Sequence, residues 1–240
     1  MMSDVLLELS GVQTGYGDLK VVRDVSLTVR AGEITVLLGR NGAGKTTTLR
    51  AITGLNRLFG GSISYLGEPL SSDAPHKRVA KGISYVQEGK KIFRELTIEQ
   101  NLLLGGFSQK KGKRALAASV EEIYQLFPIL GSKRALHAAS MSGGQQQMLA
   151  IGQALMAKPT LLILDEPSQG LAPVVVKEVM ERVHDLKDTG IGILLVEQAV
   201  QDSVAIADEV SVVEMGKTVL AGPASKITAE DLQKAYFGAG

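Results

Sequence analysis

The chain has 240 residues, 45% hydrophobic and 21% charged, with a net charge of +1 and no cysteine. This is globular composition, sufficient for one large core or two modest ones. It excludes disulfides, thiolate metal sites, a strongly basic nucleic-acid surface and an acidic disordered tail. No apolar run approaches the roughly 18 residues that cross a bilayer, and Met1 to Ser10 lacks the basic and apolar regions of a secretory leader. Any membrane role is therefore expected to come through a partner.

In chain order, Val5–Leu9 and Val25–Val29 read as strands, the second with period-2 alternation. Gly15-Tyr16-Gly17 between them reads as a turn presenting an aromatic ring. Tyr16 is either a plain turn residue or a ring placed to stack on an adenine base. The apolar run Ile34–Leu38 reads as a buried strand. It leads into Gly39-Arg40-Asn41-Gly42-Ala43-Gly44-Lys45-Thr46-Thr47, which fits the phosphate-binding pattern G-x-x-x-x-G-K-[ST]. Thr47 to Gly54 then reads as a helix with Gly54 at its C-cap.

The glycines of this loop let backbone N–H groups approach an anion, and the helix N-terminus behind them adds free donors and partial positive charge. Lys45 is placed for the β- and γ-phosphates and the Thr46 hydroxyl for Mg²⁺. The nucleotide-binding set expected here is Gly39, Asn41, Gly42, Ala43, Gly44, Lys45, Thr46 and Thr47.

Gly60–Tyr65 and Ile83–Val86 read as further strands. Gln87 ends the second, as a neutral oxygen donor suited to Mg²⁺ or an attacking water; a polar strand terminus would look the same. From Thr97 to about Leu136 the pattern is mostly helical, interrupted by the basic cluster Lys110-Lys111-Gly112-Lys113-Arg114, a solvated loop or a contact for headgroups or a partner. Ser142 in Met141-Ser142-Gly143-Gly144-Gln145 is expected to cap the helix that follows, making a second helix N-terminus fit for an anion.

Leu161–Leu164 is a fully apolar run typical of a buried parallel strand. It ends on Asp165-Glu166-Pro167, where α/β sheets place their ligands. Asp165 is expected to bind Mg²⁺ through its water, and Glu166 to polarise an attacking water as general base. Pro173 opens a helix whose apolar stripe is Val176, Val179, Met180, Val183 and Leu186. Ile191–Val196 is another buried strand, leading to Glu197-Gln198. Glu209–Glu214 and Thr218–Ala221 read as a hairpin turning at Met215-Gly216-Lys217, and Ala229–Tyr236 as a closing helix. His76, His137 and His184 lack metal-ligand spacing and read as surface or packing residues.

The order of these motifs (phosphate loop, Gln87, Ser142-Gly143-Gly144-Gln145, Leu161–Glu166, then Gln198) resembles the ATP-binding subunit of an ABC transporter over nearly the whole chain. Within that family, Leu38–Thr47, Gln87–Phe93, Met148–Gly152 and Asp165–Pro173 are similar to the LivF-type subunit of branched-chain amino acid importers; relatives in that group serve urea and short amides. The resemblance implies an α/β fold: a P-loop NTPase core with a mixed, largely parallel sheet, an N-terminal antiparallel β subdomain and an α-helical subdomain. The core would span residues 1–86 and 158–240, and the helical part residues 94–157.

The same resemblance implies ATP hydrolysis with Mg²⁺ in a head-to-tail pair of subunits. Each ATP would lie between Lys45 of one subunit and Ser142, Gly143, Gly144 and Gln145 of the other. The partner subunit would be a paralogue, or a second copy in isolation. Permease subunits would dock a coupling helix near Gln87–Asn101, and a solute-binding protein would act indirectly. The chain would be cytoplasmic, peripheral on the inner face of the membrane, with no nucleic-acid partner. Gln198 would be a switch residue at the γ-phosphate, where most of the family has histidine, and glutamine cannot bear the imidazolium charge. Gln145 and Gln153 depart from the Glu and Arg common among close relatives. Two other readings differ in class: a soluble ABC ATPase on nucleic acid or ribosomes, which wants basic surface or long insertions, and a nucleotide-binding module whose partner's site does the hydrolysis.

Overall fold

Three short apolar runs build the centre of the molecule. β3 (Ile34–Leu38), β7 (Leu161–Asp165) and β8 (Gly192–Glu197) are buried at every position. β8 lies between the other two and pairs with both in parallel. Their side chains alternate between two apolar clusters: Val36, Leu162, Leu164, Ile193 and Leu195 face one, and Leu37, Leu161, Ile163, Leu194 and Val196 the other. Strands covered on both faces need no polar residue in their interior, so their sequences read as continuous apolar runs.

The computed structural model describes residues 4–70, 73–109 and 112–237. Around the central strands, β1 (Val5–Tyr16), β2 (Leu19–Arg30), β4 (Leu58–Tyr65), β5 (Glu68–Pro69), β6 (Ile83–Val86), β9 (Glu209–Glu214) and β10 (Lys217–Pro223) complete a sheet of order β5-β4-β1-β2-β10-β9-β3-β8-β7-β6. The N-terminal strands are antiparallel and those from β9 through β3 to β6 are parallel, so the mixed α/β sheet read from the sequence is present. β1 and β2 run far beyond the expected apolar stretches, and Tyr16 is the last residue of β1 rather than part of the turn.

The two parts of the sheet meet at the turn of the β9–β10 hairpin. Met215 and Gly216 have φ of 46° and 78°, as a two-residue turn with left-handed central residues requires. Gly216 lies so close to β2 that a Cβ would stand 2.1 Å from the Val21 carbonyl oxygen. Its own oxygen accepts from the N–H groups of Arg23 and Asp24 at 2.7 and 3.0 Å, and its N–H donates to Ala43 O at 2.9 Å.

The helices are α1 (Lys45–Ile52), α2 (Pro75–Ala80), α3 (Ile98–Gly105), α4 (Lys113–Leu126), α5 (Pro128–Ser132), α6 (Gly143–Leu155), α7 (Pro173–Lys187), α8 (Val200–Val204) and α9 (Ala229–Phe237). The helical stretch is broken where its chemistry changes: Thr97 caps α3 through a reciprocal box with Gln100, and Pro128 starts α5. Its buried residues Leu102, Val120, Ile123 and Phe127 belong to the same apolar cluster as Val36 and Leu164 of the sheet, and α6, in the same helical part, packs on β6. α7 buries the five residues of its expected stripe. Of the basic cluster, Lys113 and Arg114 open α4, while Lys110 and Lys111 lie outside the described residues, as do residues 1–3 of the N-terminal stretch.

The C-terminal end of α1 is closed by a buried guanidinium. Arg78 on α2 is 5% exposed and donates to Ala51 O (2.7 Å), Ile52 O (2.5 Å), Leu70 O (2.5 Å) and Asp73 O (2.9 Å). A cation suits the negative end of a helix dipole, and these carbonyls have no water to turn to. Arg78→Met is expected to lower the unfolding free energy by about 2 kcal/mol or more, read from urea denaturation. An unchanged midpoint would mean that α1 is held without this cap.

Candidate functional site

The phosphate loop runs from the end of β3 to the start of α1. Gly44, the N-cap of α1, has φ of 107°, a conformation that residues with a Cβ rarely adopt. The loop opens on a cleft of about 340 Å³ lined by Val21, by Arg40, Asn41, Gly42, Gly44, Lys45, Thr46 and Thr47 of the loop and α1, and by Glu88, Glu166 and Gln169. Gly39 and Ala43 face an adjoining cavity of about 360 Å³ closed by Val212–Met215 and by Ala235 and Tyr236 of α9.

Lys45 is 4% exposed. Its ammonium donates to Gly39 O at 2.7 Å and pairs with Glu166 Oε1 at 3.1 Å. Glu166 sits at φ 47°, held there by its N–H to Val196 O at 2.8 Å, and its Oε2 accepts from Gln169 Nε2 at 3.1 Å. Asp165 is 2% exposed; its Oδ2 accepts from the Tyr85 hydroxyl at 2.8 Å and its Oδ1 has no hydrogen-bond partner. Burial raises the Asp165 pKa, opposed by the Tyr85 hydrogen bond. Burial and then the Asp165 charge push the Tyr85 hydroxyl upward. A buried carboxylate oxygen left open beside the Thr46 hydroxyl fits a divalent cation carried by phosphates.

Tyr16 lies over the first turns of α1. Its hydroxyl is 3.4 Å from Thr47 Oγ1, the Arg50 guanidinium is 5.7 Å from its ring centroid, and the side chain remains 48% exposed. Ser142 is the N-cap of α6, in a reciprocal box with Gln145: Ser142 Oγ accepts from Gln145 N and Gln145 Oε1 from Ser142 N, both at 3.3 Å. Glutamine fills the third position of this box as glutamate does, so the Gln145 departure costs the cap nothing. Ser142 and Gly143 are exposed, Gly144 is buried, and none of Ser142–Gln145 lines the cleft around Lys45.

Two expected residues stand apart. Gln87 does not enter the phosphate cleft; it lines two other cavities, one with Thr53, Leu55 and Arg78 and one with Lys91, Gly105 and Gln153. The next residue, Glu88, takes its place at the cleft because β6 ends at Val86 and the chain turns there. Gln198 is exposed, and its carbonyl accepts from the Tyr236 hydroxyl at 3.4 Å. Among the described residues, no three His, Asp or Glu side chains form a ready-made metal site, and His137 instead bonds through Nδ1 to Glu95 O.

Sequence reasoning passed over Glu197. It is 2% exposed, accepting from Ser168 N at 2.9 Å on Oε1 and from Gln198 N at 3.3 Å on Oε2, and so ties the turn after Glu166 to the position of Gln198. The signal was available: a carboxylate at the end of a buried parallel strand, as at Asp165.

A glycine loop between strand and helix, a buried lysine paired with a strand-end carboxylate, and a neighbouring aspartate with an open oxygen define a P-loop ATPase. A model of the ABC transporter family matches residues 22–169, and the chain belongs to that family as an ATP-binding and ATP-hydrolysing subunit. It is 40% identical, over 97% of its length and 100% of the relative's, to the high-affinity branched-chain amino acid transport ATP-binding protein BraG of Pseudomonas aeruginosa. It is 32% identical to a probable branched-chain amino acid transport ATP-binding protein LivF of Archaeoglobus fulgidus (92% and 94% covered), which supports the LivF-type resemblance. It is also 34% identical to the lipopolysaccharide export system ATP-binding protein LptB of Haemophilus influenzae (97% of each). The fold superimposes on a nucleotide-free ATP-binding cassette from an ABC transporter with TM-score 0.84 at 23% identity, covering 96% of this chain and 94% of the other.

Burial raises the Glu197 pKa above its ordinary value of 4.5, so the folded protein holds this proton more tightly than the unfolded chain. The stability linked to that proton is full below 4.5 and is lost as pH rises through the raised value. Glu197→Gln sets an NH₂ against a backbone N–H and is expected to destabilise by about 1–3 kcal/mol. The gap between wild type and variant should widen as pH falls towards 4.5, in urea titrations over a pH series. A gap that stays flat would show that Glu197 does not titrate differently in the two states.

Proposed function

We propose that this chain powers a branched-chain amino acid importer, pairing with a second ATPase subunit beneath permease subunits and served by a solute-binding protein. The reading is supported by the named function of the BraG and LivF relatives, and by one geometric observation: Lys45, Glu166, Thr46 and Glu88 converge on a single cleft behind which Asp165 keeps an oxygen open. ABC ATP-binding subunits of transporters work with membrane permease components, and no helix among the described residues is long and apolar enough to cross a membrane. The permease's coupling helix is assigned to the surface near Gln87–Asn101, and the chain to the inner face of the membrane. Residues 94–157 form the helical subdomain and residues 1–86 and 158–240 the core.

In this mechanism the loop N–H groups of Gly42 to Thr46 receive the phosphates, and Tyr16 stacks on the adenine. Lys45 leaves Gly39 O and Glu166 for the β- and γ-phosphates. Glu166, released from its cation, accepts a proton from the water that attacks the γ-phosphorus as the bond from that phosphorus to the β–γ bridging oxygen breaks and ADP leaves. Asp165 and Thr46 would hold Mg²⁺, which would supply neutralisation of the phosphate charge. Ser142 to Gln145 of the partner subunit close over the γ-phosphate, and Gln198 hydrogen-bonds it from the switch position.

Lys45→Ala should abolish most ATP affinity, measured by calorimetry; unchanged binding would sink the loop assignment. Glu166→Gln should bind ATP normally yet lose roughly 10²–10⁴ in turnover, and a near-wild-type rate would move the base elsewhere. Wild-type activity should rise faster than linearly with protein concentration if the site needs two subunits. The LptB relatives favour a second reading, the same engine driving export. Co-purification with the permease and stimulation by solute-loaded binding protein separates the two.

A further inference from the structure

The C-terminal helix reaches the site through one side chain that none of the steps above uses. α9 packs on β9 and β10, with Leu232, Ala235 and Tyr236 against the apolar cluster that holds Val210 and Val212. From there Tyr236 borders the cavity that Gly39 and Ala43 face. Its hydroxyl donates to Gln198 O at 3.4 Å. It also shares a hydrogen bond with the Gly39 backbone that favours the ionised phenol, so there the hydroxyl oxygen accepts from the Gly39 N–H.

Both partners are held twice over. Gly39 gives its N–H to Tyr236, while its carbonyl takes the Lys45 ammonium at 2.7 Å. Gln198 gives its N–H to Glu197 Oε2 at 3.3 Å, while its carbonyl takes Tyr236. The Gln198 backbone is therefore fixed on both sides, and among the described residues its side-chain amide has no hydrogen-bond partner. A side chain that must point at one phosphate gains from a fixed backbone, because fewer orientations compete with the productive one. Burial raises the Tyr236 pKa, opposed by the Gly39 bond, and the charges of Glu166 and Glu197 raise it further. The hydroxyl keeps its proton near neutral pH, and with it the donation to Gln198.

We propose that Tyr236 is a positioning residue for hydrolysis: one hydroxyl ties Gln198, at the switch position, to Gly39, the first residue of the phosphate loop. This deepens the ATPase reading and rests on it. The hydroxyl touches no substrate; it sets where Gln198 stands when the γ-phosphate arrives. When Lys45 leaves Gly39 O for the nucleotide, the Gly39 N–H stays on Tyr236, so the start of the loop keeps its place. The C-terminal helix thereby becomes a working part of the ATPase site.

The test is steady-state ATPase kinetics of the full chain with Mg²⁺, for Tyr236→Phe, Gln198→Ala and the double variant. Lys234→Ala, which breaks a surface ion pair with Glu230 on the same helix, is the control. Tyr236→Phe keeps the packed ring and removes only the hydroxyl. It should lower kcat roughly tenfold, the worth of one hydrogen bond, with KM for ATP near wild type. In the Gln198→Ala background the same change should cost nothing further, because the side chain it positions is gone. Lys234→Ala should behave as wild type. Three results would overturn the proposal: a wild-type kcat in Tyr236→Phe, the same fold-loss in both backgrounds, as a merely structural residue would give, or Lys234→Ala reproducing the loss. A Gln198→Ala chain that turns over like wild type would remove the switch reading of Gln198, and this inference with it. Hydrogen exchange gives a readout independent of turnover, and it decides the matter if the lone chain is inactive. The Gly39 amide should exchange faster in Tyr236→Phe than in wild type; equal rates would also overturn the proposal.

Discussion

A buried ammonium group needs an answer, and much of this site is that answer. Lys45 is 4% exposed, and removing a cation from water costs several kcal/mol unless opposite charge and hydrogen bonds replace the solvent. Here Gly39 O and Glu166 replace it. The contact ties the start of the phosphate loop to the end of β7, and it joins the group proposed to receive phosphate to the group proposed to activate water. Each neutralises the other while no phosphate is present. In the proposed mechanism a nucleotide exchanges for Glu166 at Lys45, so that substrate binding and release of the base become one event.

The sheet supplies the precision. In the β3–β8–β7 register, Leu38 lies opposite Glu197 and Val196 opposite Asp165, so the loop, the buried Glu197 and the Asp165-Glu166 pair emerge from three neighbouring strand ends. Glu166 adopts a left-handed backbone, which costs a non-glycine residue about 1–3 kcal/mol. Its N–H bond to Val196 and its ion pair with Lys45 offset that cost. The strain therefore depends on β8 staying in register beside β7.

What could be read from the sequence was what repeats or what matches a fixed spacing. The fully buried strands, the phosphate loop, the Ser142 cap and the α7 stripe announce themselves in composition and period. α2 and α8 did not, because helices of six and five residues are too short to show a period. The cap that Arg78 makes on α1 joins residues 27 apart in sequence and leaves no local trace. At Gln87 the limit is of another kind: residue type suggested an oxygen donor at the strand end, but one residue of chain path decides which side chain lines the cleft, and Glu88 lines it. Gln145, read as a departure from the glutamate of close relatives, serves the cap through its own amide.

That cap has a further consequence. A serine hydroxyl has one hydrogen to give and two lone pairs to offer. At Ser142 a lone pair is taken by the N–H of Gln145, while the residue itself stays exposed at the head of α6. The hydrogen remains available on the outward side. Ser142 thus greets whatever approaches as a donor, alongside the free N–H groups of a helix start. Together with the N–H groups of the helix start, that surface suits an incoming oxyanion.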